Sequence, residues 1–426
     1  MSSKVKIAQR GKSPLSPLRK GGTLVRVQPL GAACSMFGRT FSQVRYFLRF
    51  SLEALPSGPA HARVSLMPAS VRQHYELYPY PDYPLFASVR RRDTYANNLD
   101  ALWSLFNGEL APAPSRRILI AGCGSFAPYP FALANPDIAI TALDLSDKSL
   151  RRARLHCLLH GISGVDFVPG DLCDPGMTPG PYGFIDAYGV LHHLADPQAG
   201  LRALAARLGE GGILRVMVYS HYTRREEDSI RRALRLLQVR DPEQVRGMVR
   251  RSGKDSRLRG FFESSDEVAS RSGLADALLH PQVTSYRIDP FLELVAESGL
   301  TPLRFAHHGA LPEPEREIAR IRALEAEKQA PGNFVLYLGR HSKGPCTGPH
   351  GVFRLNPCLA TALATWRLGT LHLPGRLGHK NAALNGAERG FLRRFRNPVP
   401  AADLSPTELA RAGDYADRLL LMHSRS

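Results

Sequence analysis

Between residues 116 and 220 the chain alternates short apolar runs with amphipathic stretches. Arg117–Ala121 (RILIA) is a short apolar run of strand length, the pattern of a strand covered on both faces. Ala139–Leu145 (AITALDL), Val165–Pro169, Phe184–Tyr188 and Ile213–Tyr219 (ILRVMVY) predict four more strands. Helices are predicted around Phe131–Ala134 and over Lys148–His160 and Pro197–Leu208. Downstream, Leu303–His307 and Asn333–Gly339 (NFVLYLG) predict two final strands. The helices Pro290–Ser298 and Pro314–Ala330 lie next to them. Strand–helix alternation of this kind predicts an α/β fold: a doubly wound, mostly parallel, seven-stranded sheet.

The flanking pattern divides the chain. Residues 1–66 are basic and rich in Ser, Gly and Pro, with Glu53 as the one acid. They predict a disordered extension, either a transit-like segment or a stretch upstream of a true start at Met67. Residues 67–115 predict a cap. It holds a helix over Ser70–Tyr78, the proline-punctuated aromatic run Tyr75–Tyr83, and a second helix over Asn98–Asn107. Proline stops the first helix and favours extended backbone after it. The run could form a lid or substrate wall, or an ordinary packed strap. Residues 116–343 form the main domain. Its stretch 222–280 interrupts the alternation, is Arg-rich and helical in pattern, and predicts an insertion that covers the substrate side or presents a solvated face. Residues 344–426 form a C-terminal extension, in which Ser405-Pro-Thr-Glu408 is a capping box for a helix reaching about Leu421.

Charge narrows the function classes. The formal net charge is +18, but residues 1–67 carry +10 of it and residues 346–426 carry +6. The middle, with +2, gives no sign of a groove tracking phosphates, so nucleic acid is a disfavoured partner. No apolar run reaches the ~18 residues of a membrane span. Six scattered cysteines form no C-x-x-C pair, which argues against a disulfide scaffold or zinc ribbon. A cytoplasmic location is expected, or an organellar one if residues 1–66 are a transit peptide. No metal-ligand cluster is visible in the sequence.

Four features carry candidate chemistry. Gly122-Cys123-Gly124-Ser125 follows the first strand, where glycines permit a tight turn and close ligand approach. Asp144 ends the second strand, 22 residues after Gly122, where a carboxylate can accept both ribose hydroxyls. It could equally cap the next helix, as could Ser146. Asp171-Leu172 follows the third strand and could receive an adenine amino group, or simply form a turn after Gly170. Tyr188-Gly189-Val190-Leu191-His192-His193 follows the fourth.

In this order and spacing, the stretch 116–220 resembles the class I S-adenosylmethionine-dependent methyltransferases, whose fold is Rossmann-like. Gly122-Cys-Gly124 resembles their first motif. Asp144 matches their ribose-binding acid, and Asp171-Leu172 their adenine-contacting pair. Gly189–Leu194 matches the segment after their fourth strand, and Gly209–Leu214 the turn into their fifth. The resemblance implies an S-adenosyl-L-methionine cofactor. It implies contacts from Ala121, Gly122, Cys123, Gly124, Asp144, Leu145, Asp171, Leu172 and Tyr188, with His192 or His193 as the base if one is needed. The pair could also only shape its turn. The family's motif usually opens with an acid and carries a third glycine; here Ile120 and Phe126 hold those positions. Phe126 supports the alternative of a non-catalytic partner protein. A nicotinamide dehydrogenase would want G-x-G-x-x-G, but Pro128-Tyr129 follow here. Tyr188-Gly-Val does not match an amine-methylating motif. The expected acceptor is therefore a small molecule or a protein.

Overall fold

The computed structural model describes residues 69–364 and 369–425; the basic N-terminal stretch and the question of Met67 lie outside them. Two helices precede the sheet, α1 (Ala69–Leu77) and α2 (Leu99–Asn107). Asn98 caps α2 by accepting from the Ala101 N–H, and Gly108 closes it in the left-handed region at φ +64. The alternating region then runs β1 (Arg117–Ala121), α3 (Pro128–Ala134), β2 (Ala139–Asp144), α4 (Asp147–Leu159), β3 (Val165–Pro169) and β4 (Tyr182–Tyr188). It continues through α5 (Pro197–Arg207) and β5 (Leu208–Val218).

The insertion holds α6 (Arg225–Leu236), α7 (Pro242–Arg251) and α8 (Arg257–Ser264), then a short helix, Arg271–Leu274, that continues into a π-helical turn, Ala275–Leu279. After it come α9 (Ile288–Glu297), β6 (Thr301–Phe305), α10 (Pro314–Ala326) and β7 (Phe334–Gly339). The C-terminal part adds β8 (Val352–Leu355), α11 (Gly386–Arg393), β9 (Val399–Pro400), α12 (Pro406–Asp417) and β10 (Leu421–Ser424).

The main sheet has the order β3-β2-β1-β4-β5-β7-β6, with β7 antiparallel to both its neighbours. Side chains alternate faces along each strand. Ile118 and Ile120 of β1 join α2, α3 and the C-terminal part in one core, while Leu119 and Ala121 join α5, α9 and α10 in another. The C-terminal part therefore helps cover one face: Phe353, Leu359, Leu363 and Phe395 share the first core with Trp103 of α2. The insertion has a small core of its own around Ile230, Val245, Phe261 and Leu274.

Several boundaries differ from the periodicity. β5 begins at Leu208 rather than Ile213, because the Gly209–Gly212 turn pairs Leu208 with Tyr182 before the register shifts. The capping box of α12 forms as expected, but the helix stops at Asp417 rather than Leu421. Leu419 takes φ +60, and the apolar run Leu421–Met422 is drawn into an antiparallel pair with β8. α10 ends at Ala326 rather than Ala330, with Lys328 at φ +60.

Candidate active site

β1, β2 and β4 end side by side, and their turns build the site. Beyond β1 the chain reverses through Gly122 at φ +72 and Gly124 at φ +56. A Cβ on Gly122 would sit 2.5 Å from the Val190 side chain, so the turn after β4 packs directly on the glycine loop. The loop is tied to β2 from below. The N–H groups of Gly122 and Cys123 both donate to the Leu143 carbonyl, at 2.8 and 3.0 Å. Asp144 completes the junction, accepting from the Gly124 N–H at 2.7 Å and from the Ser146 N–H at 2.9 Å.

The two helix-cap alternatives separate here. Ser146 is the N-cap of α4, its hydroxyl accepting from the Ser149 N–H at 3.1 Å. Asp144 lies one step back, nearly buried, and burial pushes its carboxyl up to about 6 against the opposing pull of those two N–H groups. Each of its oxygens keeps a lone pair for a further donor. Leu145 follows the strand end. The Cys123 thiol is buried and pushed well up by burial. Ala121 is fully buried in the sheet.

Asp171 turns the chain after β3 by accepting from the Cys173 N–H at 2.9 Å. The Leu172 side chain lies in the α5-side core, and its carbonyl receives the Arg207 guanidinium at 2.6 Å. Tyr188 ends β4 with the Arg215 guanidinium 5.5 Å over its ring. Phe126 packs in a cluster with Tyr83, Tyr129 and His156, at ring separations of 4.5, 5.9 and 5.0 Å.

The histidine pair divides. His192 stacks on Tyr219 at 3.7 Å, and both of its ring nitrogens are buried without a hydrogen bond. Burial, then His193 and Arg224, drive its pKa well down, so it is a neutral packed ring. His193 has a defined tautomer. Its Nδ1–H donates to the Gln282 carbonyl at 2.9 Å, which leaves the lone pair on Nε2. Burial lowers its pKa to about 4, so at neutral pH it is an unprotonated imidazole.

Other segments close over these turns. The Tyr80 carbonyl accepts from the Ser125 N–H at 3.2 Å and sits 2.5 Å from where a Gly124 Cβ would lie. The aromatic run is thus a strap across the glycine loop. Tyr75 of α1 donates its hydroxyl to Asp276 at 3.1 Å and packs its ring nearly perpendicular to that of His193, 6.3 Å away. His280 lies 3.8 Å from His193, ring to ring. Arg224 stands 4.0 Å over the Tyr219 ring and grips Glu267 with two hydrogen bonds.

A family model described as a methyltransferase domain matches residues 119–214, the segment from β1 to β5 that carries these turns. The strand order and the antiparallel β7 agree with that match. Residues 119–214 thus resemble a methyltransferase domain. The chain is 32% identical over 255 residues to an uncharacterized protein of Synechococcus, covering 56% of this chain and 61% of that one. It is 35% identical over 99 residues to a ubiquinone biosynthesis O-methyltransferase of Bordetella avium, covering 23% of this chain and 40% of that one. The chain thus spans less than two thirds of these relatives. PKMT2 from Rickettsia typhi in complex with AdoHcy superposes with a TM-score of 0.47 at 14% identity, covering 79% of this chain and 71% of that one.

Sequence reasoning missed His74, Asp276 and His280, which meet beside His193. Asp276 and His280 stand four residues apart in an otherwise apolar stretch, a signal that gains meaning only when the π-helical turn sets both on one face. Nothing in the sequence pairs them with His74, about 200 residues earlier.

Proposed function

We propose that this protein moves a methyl group from S-adenosyl-L-methionine to an oxygen of a small-molecule acceptor, with His193 as the base. The carrying observation is the junction of Gly122, Gly124 and Asp144. It is a loop that leaves no room for a Cβ at either glycine, locked to a carboxylate at the carboxyl end of β2. That cradle and its acceptor fit the cofactor's amino acid and ribose, with Ala121, Gly122, Cys123, Gly124, Asp144 and Leu145 as the contacts. The Asp171–Leu172 turn and Tyr188 would flank the adenine and the reacting end. When bound, the cofactor supplies an electrophilic methyl on a sulfonium.

The chain's own residues then do three things. Asp144 accepts hydroxyl hydrogens and orients the donor. The strap Tyr78–Tyr83 and the insertion exclude water. His193 Nε2 takes the acceptor's proton while Nδ1–H stays bonded to Gln282, which keeps the ring aligned. His192, with no accessible nitrogen, is a packing residue of the same turn. An oxygen acceptor also accords with the name of the Bordetella relative. The non-catalytic alternative rested on Phe126, whose ring lies in a packed cluster. The five described cysteines are free thiols, in keeping with a cytoplasmic enzyme, and no described helix is long and apolar enough to cross a membrane.

Calorimetric titration of the full chain with S-adenosylmethionine and S-adenosylhomocysteine tests the reading. Saturable binding is expected, and Asp144→Ala should abolish it. A folded wild-type chain that binds neither compound would overturn the proposal.

A further inference from the structure

We infer that His74, Asp276 and His280 form a binding site for a divalent transition-metal ion of the zinc class, which staples the N-terminal cap to the insertion. His74 comes from α1, Asp276 from the π-helical turn, and His280 from the residue just after it. Each is at most 7% exposed, and their candidate ligand atoms all lie within 4.8 Å of one another. The imidazole rings of His74 and His280 are 4.7 Å apart.

Two features ask for a ligand. First, His74 Nε2 and His280 Nε2 are both buried without a hydrogen bond. Leaving such an atom unpartnered costs about 1–3 kcal/mol. Second, the Asp276 carboxylate is buried with no cation bound to it. Its hydrogen bond comes from the neutral Tyr75 hydroxyl, while Arg231 nearby binds the Ala277 carbonyl and Asp228. A bridging water would serve the imidazoles but would not balance the carboxylate. A divalent cation does both. Two imidazoles and one carboxylate, with a fourth position left for solvent or another oxygen, is a known ligand set for zinc. Tetrahedral coordination at 2.0–2.1 Å brings ligand atoms to roughly 3.3 Å apart, so the side chains close by about 1 Å. The Tyr75 hydroxyl then supports the ligating carboxylate from outside.

One contact must change. The Gln282 N–H donates to His280 Nδ1 at 3.1 Å, which places the ring proton on Nε2. Coordination through Nε2 needs that proton on Nδ1, so loading the ion turns the ring and breaks this hydrogen bond. The Gln282 amide therefore reports on occupancy.

The test uses the full chain, stripped with a chelator, desalted, and titrated with Zn²⁺ and separately with Co²⁺. About one ion per chain is expected, with the strong visible absorption of four-coordinate Co²⁺. Asp276→Asn, which is nearly isosteric, and His280→Gln should lose stoichiometric uptake. Tyr75→Phe should weaken it by about tenfold or more, as loss of outer support does. Retention of no ion by the wild type, a weak six-coordinate Co²⁺ spectrum, or unchanged affinity in Asp276→Asn would each overturn the site. Should His280→Gln fail to fold, the wild-type Co²⁺ spectrum and faster Gln282 amide exchange on loading still decide. S-adenosylhomocysteine binding is measured on the same stripped protein. Cofactor binding without ion uptake refutes this inference alone, and ion uptake without cofactor binding refutes only the transfer reading.

Discussion

Replacing Gly124 by alanine should cost more than a left-handed glycine ordinarily does, because a second segment rests on it. Gly161, just beyond α4, is the control: it also has positive φ, at +74, but a Cβ there meets nothing within 4 Å. Placing alanine in the left-handed region costs about 1–2 kcal/mol, and Gly161→Ala should lose only that. At Gly124 the new Cβ would lie 2.5 Å from the Tyr80 carbonyl oxygen, a backbone atom that cannot rotate away. The strap must lift. Doing so removes the Ser125 N–H to Tyr80 bond and the Ser125 hydroxyl bond to the Pro81 carbonyl, each worth about 1 kcal/mol. Gly124→Ala should therefore lose roughly 3–4 kcal/mol. Urea unfolding gives the difference between the variants, provided the slopes agree. Limited trypsin digestion gives its location, since a lifted strap offers Arg90–Arg92. Equal losses in the two variants, with equal cleavage rates, would refute the strap's seat on the loop.

Asp144 should make cofactor affinity depend on pH. Its carboxyl is raised to about 6, chiefly by burial, so the acceptor form is complete above that value and disappears as the pH falls through it. Glu76 of α1 adds to the upward push, and the N–H groups of Ser146 and Gly124 oppose it. Calorimetry with S-adenosylhomocysteine should show binding weakening below pH 6, and Asp144→Asn should be weak and flat across that range; an unchanged wild-type affinity at pH 5 would sink the assignment. Glu317→Ala should destabilise by about 3–5 kcal/mol, because it strips a fully buried carboxylate from His307 and Arg320. Burial raises that carboxyl, but hydrogen bonds from His307, Arg320 and the Leu311 N–H outweigh it and hold the group at about 2. Its stabilisation is thus complete above the ordinary 4.5 and is lost as the pH falls toward 2. Stability curves of wild type and Glu317→Gln should converge over that window, and parallel curves would count against the reading. His193→Gln should leave cofactor affinity unchanged while lowering turnover about 10²–10⁴-fold, and full activity would exclude His193 as the base.

The sheet was legible because its strands are buried on both faces and read as apolar runs, and because Gly122, Asp144 and Asp171 sit at strand ends with a fixed order. Ser146, not Asp144, proved to be the helix cap, a choice the sequence left open since both residue types cap equally well. The histidine turn was legible as a place but not as chemistry. Only the Gln282 carbonyl, 89 residues away, distinguishes His193 as the ring with a fixed tautomer. The reach of α12 was misjudged because Leu419–Met422 fits a helix face as well as a strand, and β8 settles it from outside the local sequence. His74, Asp276 and His280 were invisible for a related reason: a ligand set split between a cap and an insertion has no spacing to read.

The attachments of the cap suggest which part moves. From Tyr75 to Asp93 every residue is at least partly exposed, whereas Val71, His74 and Thr94 on either side are buried. The strap is held to α4 by the Arg152–Asp82 pair and by Arg152 on the Tyr83 carbonyl, and α1 by Arg72–Asp147 and by Glu76 at Lys148. These contacts lie mostly in solvent, where an ion pair is worth about 0–1 kcal/mol. The insertion, in contrast, has its own apolar core and is anchored to the sheet by the nearly buried Arg224, which donates to the Asn333 side chain at 3.2 Å and stands over the Tyr219 ring, and by the Thr284 N–H on the His192 carbonyl. Opening for cofactor and product exchange is therefore expected at residues 75–93, hinged on the buried flanks, with the insertion staying in place. Amide exchange should show the Ser125 N–H, which bonds to Tyr80, exchanging far faster than the Gly122 N–H, which bonds to Leu143 in the same loop. S-adenosylhomocysteine should slow the first and hardly affect the second. Equal protection of the two amides in the free protein would mean that the strap and the loop open as one unit, and that the cofactor enters from the insertion side instead.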